Sequence, residues 1–201
     1  MDRAYTPVDS LLEQAARIVR REKETAGTAE PPEGYKRGQT ERLIAFASDN
    51  HLWVSPAEMH LEFLSKGGEN EVYTGNEDDI VVKLNNFEYA GDDLENFFIR
   101  IAAHNRFFAN VPYRMTGFAY NSRQEFCAVL TQPYIKAERE ATEDEIAAHM
   151  QALGFKMDYY DEFHNGEYKV FDAAPNNVLY GIDGNLYFID TQIRKLQRIH
   201  Y

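Results

Sequence analysis

The chain lacks the features on which disulfide-stabilised, exported and membrane-spanning proteins depend. It has a single cysteine, Cys127, in 201 residues, so an internal disulfide is excluded. No apolar run approaches the roughly 18 residues that a spanning helix requires. The start, MDRAYTPVDS, has no basic stretch leading into an apolar one. We therefore expect a soluble, cytoplasmic protein without a membrane partner.

Basic residues are also scarce in this sequence. Lysine and arginine total 21 against 33 acidic residues, which gives a formal net charge of -12. A field of that sign repels nucleic acid and anionic membranes, so we expect no nucleic-acid partner. This negative charge would favour a protein partner with a basic surface. A polyphosphate ligand would need a local cation, for which Lys83 is the first candidate.

Helical periodicity and linker composition divide the chain near residue 38. Apolar residues at helical spacing predict an amphipathic helix over 8–23, begun by Asp9 or Ser10. Residues 23–38 are rich in glycine, proline, threonine and charge, which is typical of a flexible linker. The predicted domains are 1–38, with this helix and linker, and a compact domain 39–201, made of a helical extension (39–63), a first lobe (64–135) and a reduced second lobe (136–201).

Strands and helices alternate within the compact domain. The extension contains a helix at about 39–48 and a short helical segment opened by Pro56. Two strands at about 71–73 and 80–84 form a hairpin with a turn at Gly75-Asn76. The remaining predicted elements are a helix over 92–108 with Asp92 or Asp93 near its cap, strands at 112–120 and 126–131, and a helix that starts with the capping box Thr142 to Glu145 and ends near Gly154.

The most informative segment is residues 171–192, FDAAPNNVLYGIDGNLYFIDTQ. It places Asp172 and Asn177 around a tight loop and Asp190 after a hairpin that turns at Asp183-Gly184-Asn185. Asp172 is suited to accept or orient a proton, while Asn177 and Asp190 offer the hard oxygen ligands that Mg²⁺ prefers. This order is that of a kinase catalytic loop followed by its metal-binding Asp. The alternative for residues 172–177 is an ordinary turn, because Asp, Pro and Asn all favour turns.

Upstream residues could supply the rest of a phosphoryl-transfer site. Gly67 and Gly68 precede the first strand of the hairpin, where backbone amides can approach phosphates closely; the alternative is a simple loop. Lys83 lies within an apolar strand, so its charge calls for an anionic partner unless it faces outward. Glu95 is our choice for that partner, with Glu88, Asp92 and Asp93 as alternatives.

Taken together, the motifs resemble the protein-kinase-like superfamily over about residues 64–192, most closely the small kinase domains of polyvalent proteins of phages and conjugative elements. The motifs that carry the resemblance are GGENEVY, VVKLNN, AAHNRFF, VPYRMTGF, LTQPYI, LGF, DAAPNNVL and YFID. The resemblance implies an α+β, protein-kinase-like fold, with an antiparallel-sheet first lobe, one main helix, and nucleotide between the lobes. It also implies an ATP- and Mg²⁺-dependent phosphotransferase.

The resemblance assigns roles to further residues. Lys83 would meet the α- and β-phosphates, with Gly67, Gly68, Val72 and Glu95 also in the ATP site. Thr131 would be the gatekeeper, and Gln132 to Tyr134 the hinge that meets adenine through backbone hydrogen bonds. Asp172, Lys83, Asn177 and Asp190 would be the catalytic residues, and Asn177 and Asp190 the metal ligands.

The sequence also departs from the kinase pattern. Val170-Phe171 replace the His-Arg before the catalytic Asp, Ala174 stands in place of a Lys, and Thr191-Gln192 replace Phe-Gly. The segment after Asp190 is short, so we expect little docking surface for protein substrates. These departures leave open a pseudokinase that acts as a nucleotide-binding or interaction module. A third hypothesis is a plain α+β domain with coincidental matches. The sequence does not identify the acceptor.

Overall fold

The computed structural model describes residues 10–26, 34–56, 61–74 and 79–196. The chain forms two compact units. The first contains Met1–Phe98 and Arg114–Thr131, and the second contains Ile99–Tyr113 and Gln132–Tyr201. Four helices are described: α1 (Leu11–Ala26), α2 (Tyr35–Asp49), α3 (Glu95–Phe107) and α4 (Glu143–Ala152). Within the described residues, no helix has the length and apolar character needed to cross a bilayer.

The first unit begins with α1, which confirms the predicted N-terminal helix. Ser10 and Glu13 exchange backbone-to-side-chain hydrogen bonds of 3.0 and 3.3 Å, so the helix start is capped reciprocally. The apolar stripe of α1 faces inward, and both Ala15 and Val19 are fully buried. Packing of this stripe, rather than intrinsic propensity, is what stabilises a 16-residue helix in a protein.

The predicted linker at 23–38 is too long at both ends. The helix α1 continues to Ala26, and α2 already begins at Tyr35 after Gly34, whose φ is 82°. Tyr35 is buried, and Lys36 Nζ donates to the carbonyl of Phe87 at 2.9 Å. These contacts fix a segment whose composition alone indicates flexibility. Residues 27–33 lie outside the described part of the chain.

A five-stranded antiparallel sheet forms the body of the first unit. Its strands, in the spatial order β1-β2-β3-β5-β4, are β1 (Glu62–Lys66), β2 (Asn70–Thr74), β3 (Ile80–Asn85), β4 (Arg114–Tyr120) and β5 (Phe126–Pro133). Its core includes Val82, Leu84 and Val129, all nearly or fully buried. A parallel bridge from Trp53 to Phe118 fastens the segment after α2 to strand β4.

The second unit holds two smaller antiparallel sheets and α4. One has the order β11-β10-β6 and the other β12-β9-β8-β7. Their strands are β6 (Ala137–Glu140), β7 (Lys156–Tyr159), β8 (Glu162–His164), β9 (Tyr168–Phe171), β10 (Val178–Gly181), β11 (Leu186–Phe188) and β12 (Gln192–Lys195). Both sheets contribute to one core, in which the Phe108 and Phe188 rings stack with centroids 4.2 Å apart.

Most predicted elements of the compact domain are confirmed. Both strands of the first hairpin are present, although its turn at Gly75-Asn76 lies outside the described residues. Asp93 caps α3 by accepting the Glu95 amide at 2.9 Å. The capping box of α4 is also present, since Thr142 and Glu145 bond each other's backbone amides. The helical segment predicted after Pro56 falls on residues 57–60, which are not described.

Five strands of the second unit were not predicted: β6, β7, β8, β9 and β12. Strands β6 and β7 are exposed along their whole length, so they lack the alternating apolar pattern that marks a half-buried strand. Strand β7 pairs with β8, which follows it in the chain, whereas β6 forms because a distant strand supplies backbone hydrogen bonds, as when Leu179 pairs with Glu140. Such non-local pairing leaves no signature in a short polar run.

Candidate functional site

The loop that carries Asp172 has a constrained backbone. Asp172 follows β9 directly, with φ at 58°, in the left-handed region that non-glycine residues seldom occupy. The next residue, Ala173, donates its amide to the carbonyl of Asp161 at 3.0 Å and is buried. The carboxylate of Asp172 is exposed. A backbone held in an unfavourable conformation beside an exposed acid is typical of functional loops.

Asn177 closes the same loop with its side chain turned inward. It ends the 3₁₀ turn Pro175–Asn177 and is 7% exposed. Its Nδ2 donates to the Asp172 carbonyl at 3.0 Å, which fixes the direction of the amide group. Its Oδ1 accepts a 3.1 Å hydrogen bond from Asn176. The amide oxygen therefore keeps lone-pair capacity for a further partner.

Asp190 is brought to this loop by the hairpin β10–β11. Val178 pairs with Phe188, and the Ile189 amide donates to the Asn177 carbonyl at 2.9 Å. Asp190 follows Ile189 immediately, and its side chain is exposed. Two hydrogen bonds within the second unit thus join Asp172 to Asn177 and Asn177 to Ile189, the residue before Asp190.

The hairpin turn between these residues is as predicted. Gly184 has a φ of 80°, and Asp183 accepts hydrogen bonds from both the amide and the side chain of Asn185. Tyr187 adds a third bond at 2.7 Å. Because the turn is held by its own side chains, the register of β10 and β11 is fixed.

Residues that differ from the kinase pattern serve packing and strand pairing. Val170 is fully buried and pairs with both Phe163 and Ile193. Gln192 pairs with Phe171 across β12 and β9, and its side chain accepts a 3.3 Å bond from Arg100. The segment after Asp190 therefore enters a strand at once.

Asn177 and Asp190 are the residues that the sequence predicts as magnesium ligands. Among the described residues, no group of three or more His, Cys, Asp or Glu side chains forms a metal cluster. Mg²⁺ does not require one, because it commonly binds one or two protein oxygens together with water and substrate phosphates. The Asn177 amide oxygen and the Asp190 carboxylate are a donor set of that kind.

In the first unit, the two adjacent glycines form the tight turn between β1 and β2. The Gly67 amide donates to the Asn70 carbonyl at 2.8 Å. A Cβ at Gly68 would lie less than 3.0 Å from the Tyr89 hydroxyl, whereas a Cβ at Gly67 would meet nothing within 4 Å. Because Gly68 has no side chain, the Tyr89 hydroxyl can lie against it. The sequence did not indicate this contact.

Lys83 lies in the middle of the sheet of the first unit. It is 5% exposed, on β3, and pairs in register with Val72 of β2. Glu95 is the first residue of α3, and its Oε1 accepts a 2.9 Å bond from Arg20 Nε of α1. Arg20 is 75 residues away in sequence, so no local pattern could reveal this ion pair.

The expected gatekeeper, Thr131, and the expected hinge residues Gln132 and Tyr134 differ in their surroundings. Thr131 Oγ1 donates to the Arg114 carbonyl at 3.5 Å within the β4–β5 pair of the first unit. In the second unit, Gln132 is buried and donates through Nε2 to the Val111 carbonyl at 3.1 Å. Tyr134 is exposed. The Gln132 side chain is thus engaged internally.

A buried carboxylate lies near the glycine turn, and the sequence patterns did not point to it. Glu71 of β2 is 3% exposed and accepts bonds from Lys66, Ser122 and Tyr73, with Lys66 Nζ at 2.6 Å. Burial raises the pKa of Glu71, but these donors outweigh it and lower the pKa from 4.5 to about 2. A glutamate inside a β-rich run was the available signal.

Comparison with known proteins gives one family. Residues 36–197 match the family model described as serine/threonine/tyrosine kinase found in polyvalent proteins. No curated protein matches the chain at a significant level. The match includes the glycine turn, Lys83 and the whole segment from Asp172 to Asp190, and it leaves α1 outside. The chain belongs to the family of serine/threonine/tyrosine kinases found in polyvalent proteins.

Proposed function

We propose that the protein is an ATP- and Mg²⁺-dependent phosphotransferase. The observation that carries the proposal is the loop of the second unit, where Asn177 bonds the Asp172 carbonyl and the Ile189 amide bonds the Asn177 carbonyl. In the proposal, the Asp172 carboxylate serves the acceptor proton, and the Asn177 amide oxygen and the Asp190 carboxylate serve the metal. Kinase chemistry needs little more from side chains than positioning and charge neutralisation.

Each residue has a distinct task in this proposal. Asp172 orients or accepts the acceptor's proton. Asn177 and Asp190 hold Mg²⁺, which neutralises charge on the phosphates when it is bound. Lys83 supplies local positive charge for an anionic nucleotide in a protein of net charge -12. The glycine turn lets the backbone lie close to the phosphates, while the Gly67 amide itself donates to the Asn70 carbonyl.

A specific observation favours a second candidate, a pseudokinase. Val170 and Ile193 are fully buried partners in the β9–β12 pair, so the position before Phe171 contributes to the core. A protein that binds nucleotide without transferring phosphate would accommodate this replacement. Binding and turnover must therefore be measured separately.

The test compares Asp190→Asn with Asp183→Asn by calorimetric titration of ATP, with and without Mg²⁺. Both changes neutralise one carboxylate in the same hairpin, but only Asp190 belongs to the proposed metal site. We expect Asp190→Asn to weaken Mg·ATP binding by at least about tenfold, as loss of metal-site groups does, and Asp183→Asn to leave it nearly unchanged. Equal affinities for both variants and wild type would contradict the proposal.

Turnover then separates the two candidates. Wild-type protein is incubated with ATP and Mg²⁺, and γ-phosphate transfer to water or to a basic protein is followed with time. Transfer that Asp172→Asn abolishes while binding persists supports the phosphotransferase. Binding without any transfer supports the pseudokinase.

A further inference from the structure

Helix α1 lies outside the residues that match the family, yet it is built into the first unit. The family match begins at residue 36, and α1 spans Leu11–Ala26. Its residues Ala15 and Val19 are fully buried. An appended helix that merely preceded the kinase domain would not need to bury its apolar stripe against it.

A buried glutamine connects α1, α2 and the start of α3. Gln39 of α2 is fully buried. Its Nε2 donates to the Val19 carbonyl of α1 at 3.3 Å and to Asp93 Oδ1 at 2.9 Å, and its Oε1 accepts the Leu94 amide at 2.8 Å. Buried polar groups that are bonded on every side hold their elements in one arrangement. The beginning of α3 is therefore fixed relative to α1.

The fixed arrangement of α1 and α3 places Arg20 within hydrogen-bonding distance of Glu95. Its Nε donates to Glu95 Oε1 at 2.9 Å, and the Glu95 side chain is only 13% exposed. The Glu95 backbone is fixed independently, because its amide donates to Asp93 Oδ1 at 2.9 Å. The backbone hydrogen bond fixes the position of Glu95, and the Arg20 guanidinium holds one oxygen of its carboxylate.

We propose that Arg20 is a positioning residue for nucleotide binding, which acts by orienting the Glu95 carboxylate. This inference depends on the proposed function and on the sequence-based expectation that Glu95 is the anionic partner of Lys83 in the ATP site. Its consequence is that α1, although outside the family match, is part of the working nucleotide site. Any partner that drew α1 away would weaken ATP binding.

The test is a double-mutant cycle read by the Kd of Mg·ATP. The variants are Arg20→Ala, Glu95→Gln and both together, with Arg20→Lys as the conservative rescue. Arg37→Ala is the matched control, because Arg37 also forms a 2.9 Å ion pair, with Glu41, but on an exposed helix face. Thermal melting of each variant checks that the fold is retained.

We expect Arg20→Ala to weaken Mg·ATP binding by about three- to fivefold, consistent with a partly exposed ion pair. In the Glu95→Gln background the same change should have no further effect, because Arg20 acts through that carboxylate. Arg20→Lys should recover most of the affinity, and Arg37→Ala should match wild type.

Other outcomes overturn the inference. Unchanged affinity in Arg20→Ala means that α1 is structural only, and tighter binding means that Arg20 withholds Glu95 from the site. Additive losses in the double variant mean that Arg20 acts by another route. Failure of the wild-type protein itself to bind Mg·ATP would instead refute the proposed function, so the two failures are distinguishable.

Discussion

Replacing Gly117 with alanine should destabilise the first unit strongly, although alanine normally suits a strand better than glycine. Gly117 lies on β4 beside the segment that contains Trp53. A Cβ there would lie 2.6 Å from Val54 Cγ2 and less than 3.0 Å from the Leu52 carbonyl oxygen. Since carbon contacts relax near 3.5 Å, the two segments would have to separate by about 1 Å.

The expected loss of stability follows from the hydrogen bonds that this separation would break. Phe118 donates its amide to the Leu52 carbonyl at 2.9 Å and accepts the Val54 amide at 2.8 Å. Loss of two such bonds costs about 1 kcal/mol each, and overpacking adds about 1–3 kcal/mol. We expect the free energy of unfolding to fall by about 3–5 kcal/mol, which lowers Tm by roughly 10 °C for a chain of this size.

The assay is urea unfolding followed by tryptophan fluorescence. Trp53 is the single tryptophan of the sequence, and it stacks on Tyr120 with ring centroids 5.2 Å apart, so its emission reports the first unit. Gly67→Ala is the control, because its Cβ would meet nothing within 4 Å; its stability should change by less than about 0.5 kcal/mol. Equal stability of both variants would refute the steric argument.

Two further predictions concern charge and backbone strain. Glu71→Gln should destabilise the protein by about 2–3 kcal/mol at neutral pH, because a charged acceptor of several donors is lost. The Glu71 pKa is lowered to about 2, so this wild-type advantage is present above pH 4.5 and disappears as the pH falls towards 2. Urea titrations at several pH values measure it, with exposed Glu62→Gln as control; a gap that is independent of pH would contradict the assignment. Asp172→Gly should leave stability equal or raise it by up to about 1 kcal/mol, because φ is 58° there, while phosphate transfer is lost. Asp172→Asn keeps the side-chain shape and should lose transfer without that gain; retained transfer in both would exclude Asp172 as the base.

Local patterns predicted the parts of the fold that local physics determines. The α4 capping box and the Asp183-Gly184-Asn185 turn are short-range hydrogen-bonded features, and both are confirmed. Strands β6 and β12 depend on pairing with β10 and β9, which are distant in sequence, so their polar runs gave no sign of them.

The candidate site likewise has parts that local sequence patterns predict and parts that they do not. The order of Asp172, Asn177 and Asp190 was readable because one loop and one hairpin carry all three. The left-handed backbone at Asp172 was not readable, because aspartate can adopt that region but does so in only a minority of loops. Arg20, Tyr89 and Glu71 enter through tertiary contacts, and sequence spacing carries no information about those.

The most direct test is a crystal structure with a non-hydrolysable ATP analogue and Mn²⁺, which takes the place of Mg²⁺ and gives an anomalous signal. We expect a peak within coordination distance of Asn177 Oδ1 and the Asp190 carboxylate, with phosphate oxygens completing the shell. A nucleotide bound without metal at these residues, or a manganese peak elsewhere, would contradict the assignment of this loop as the phosphoryl-transfer site.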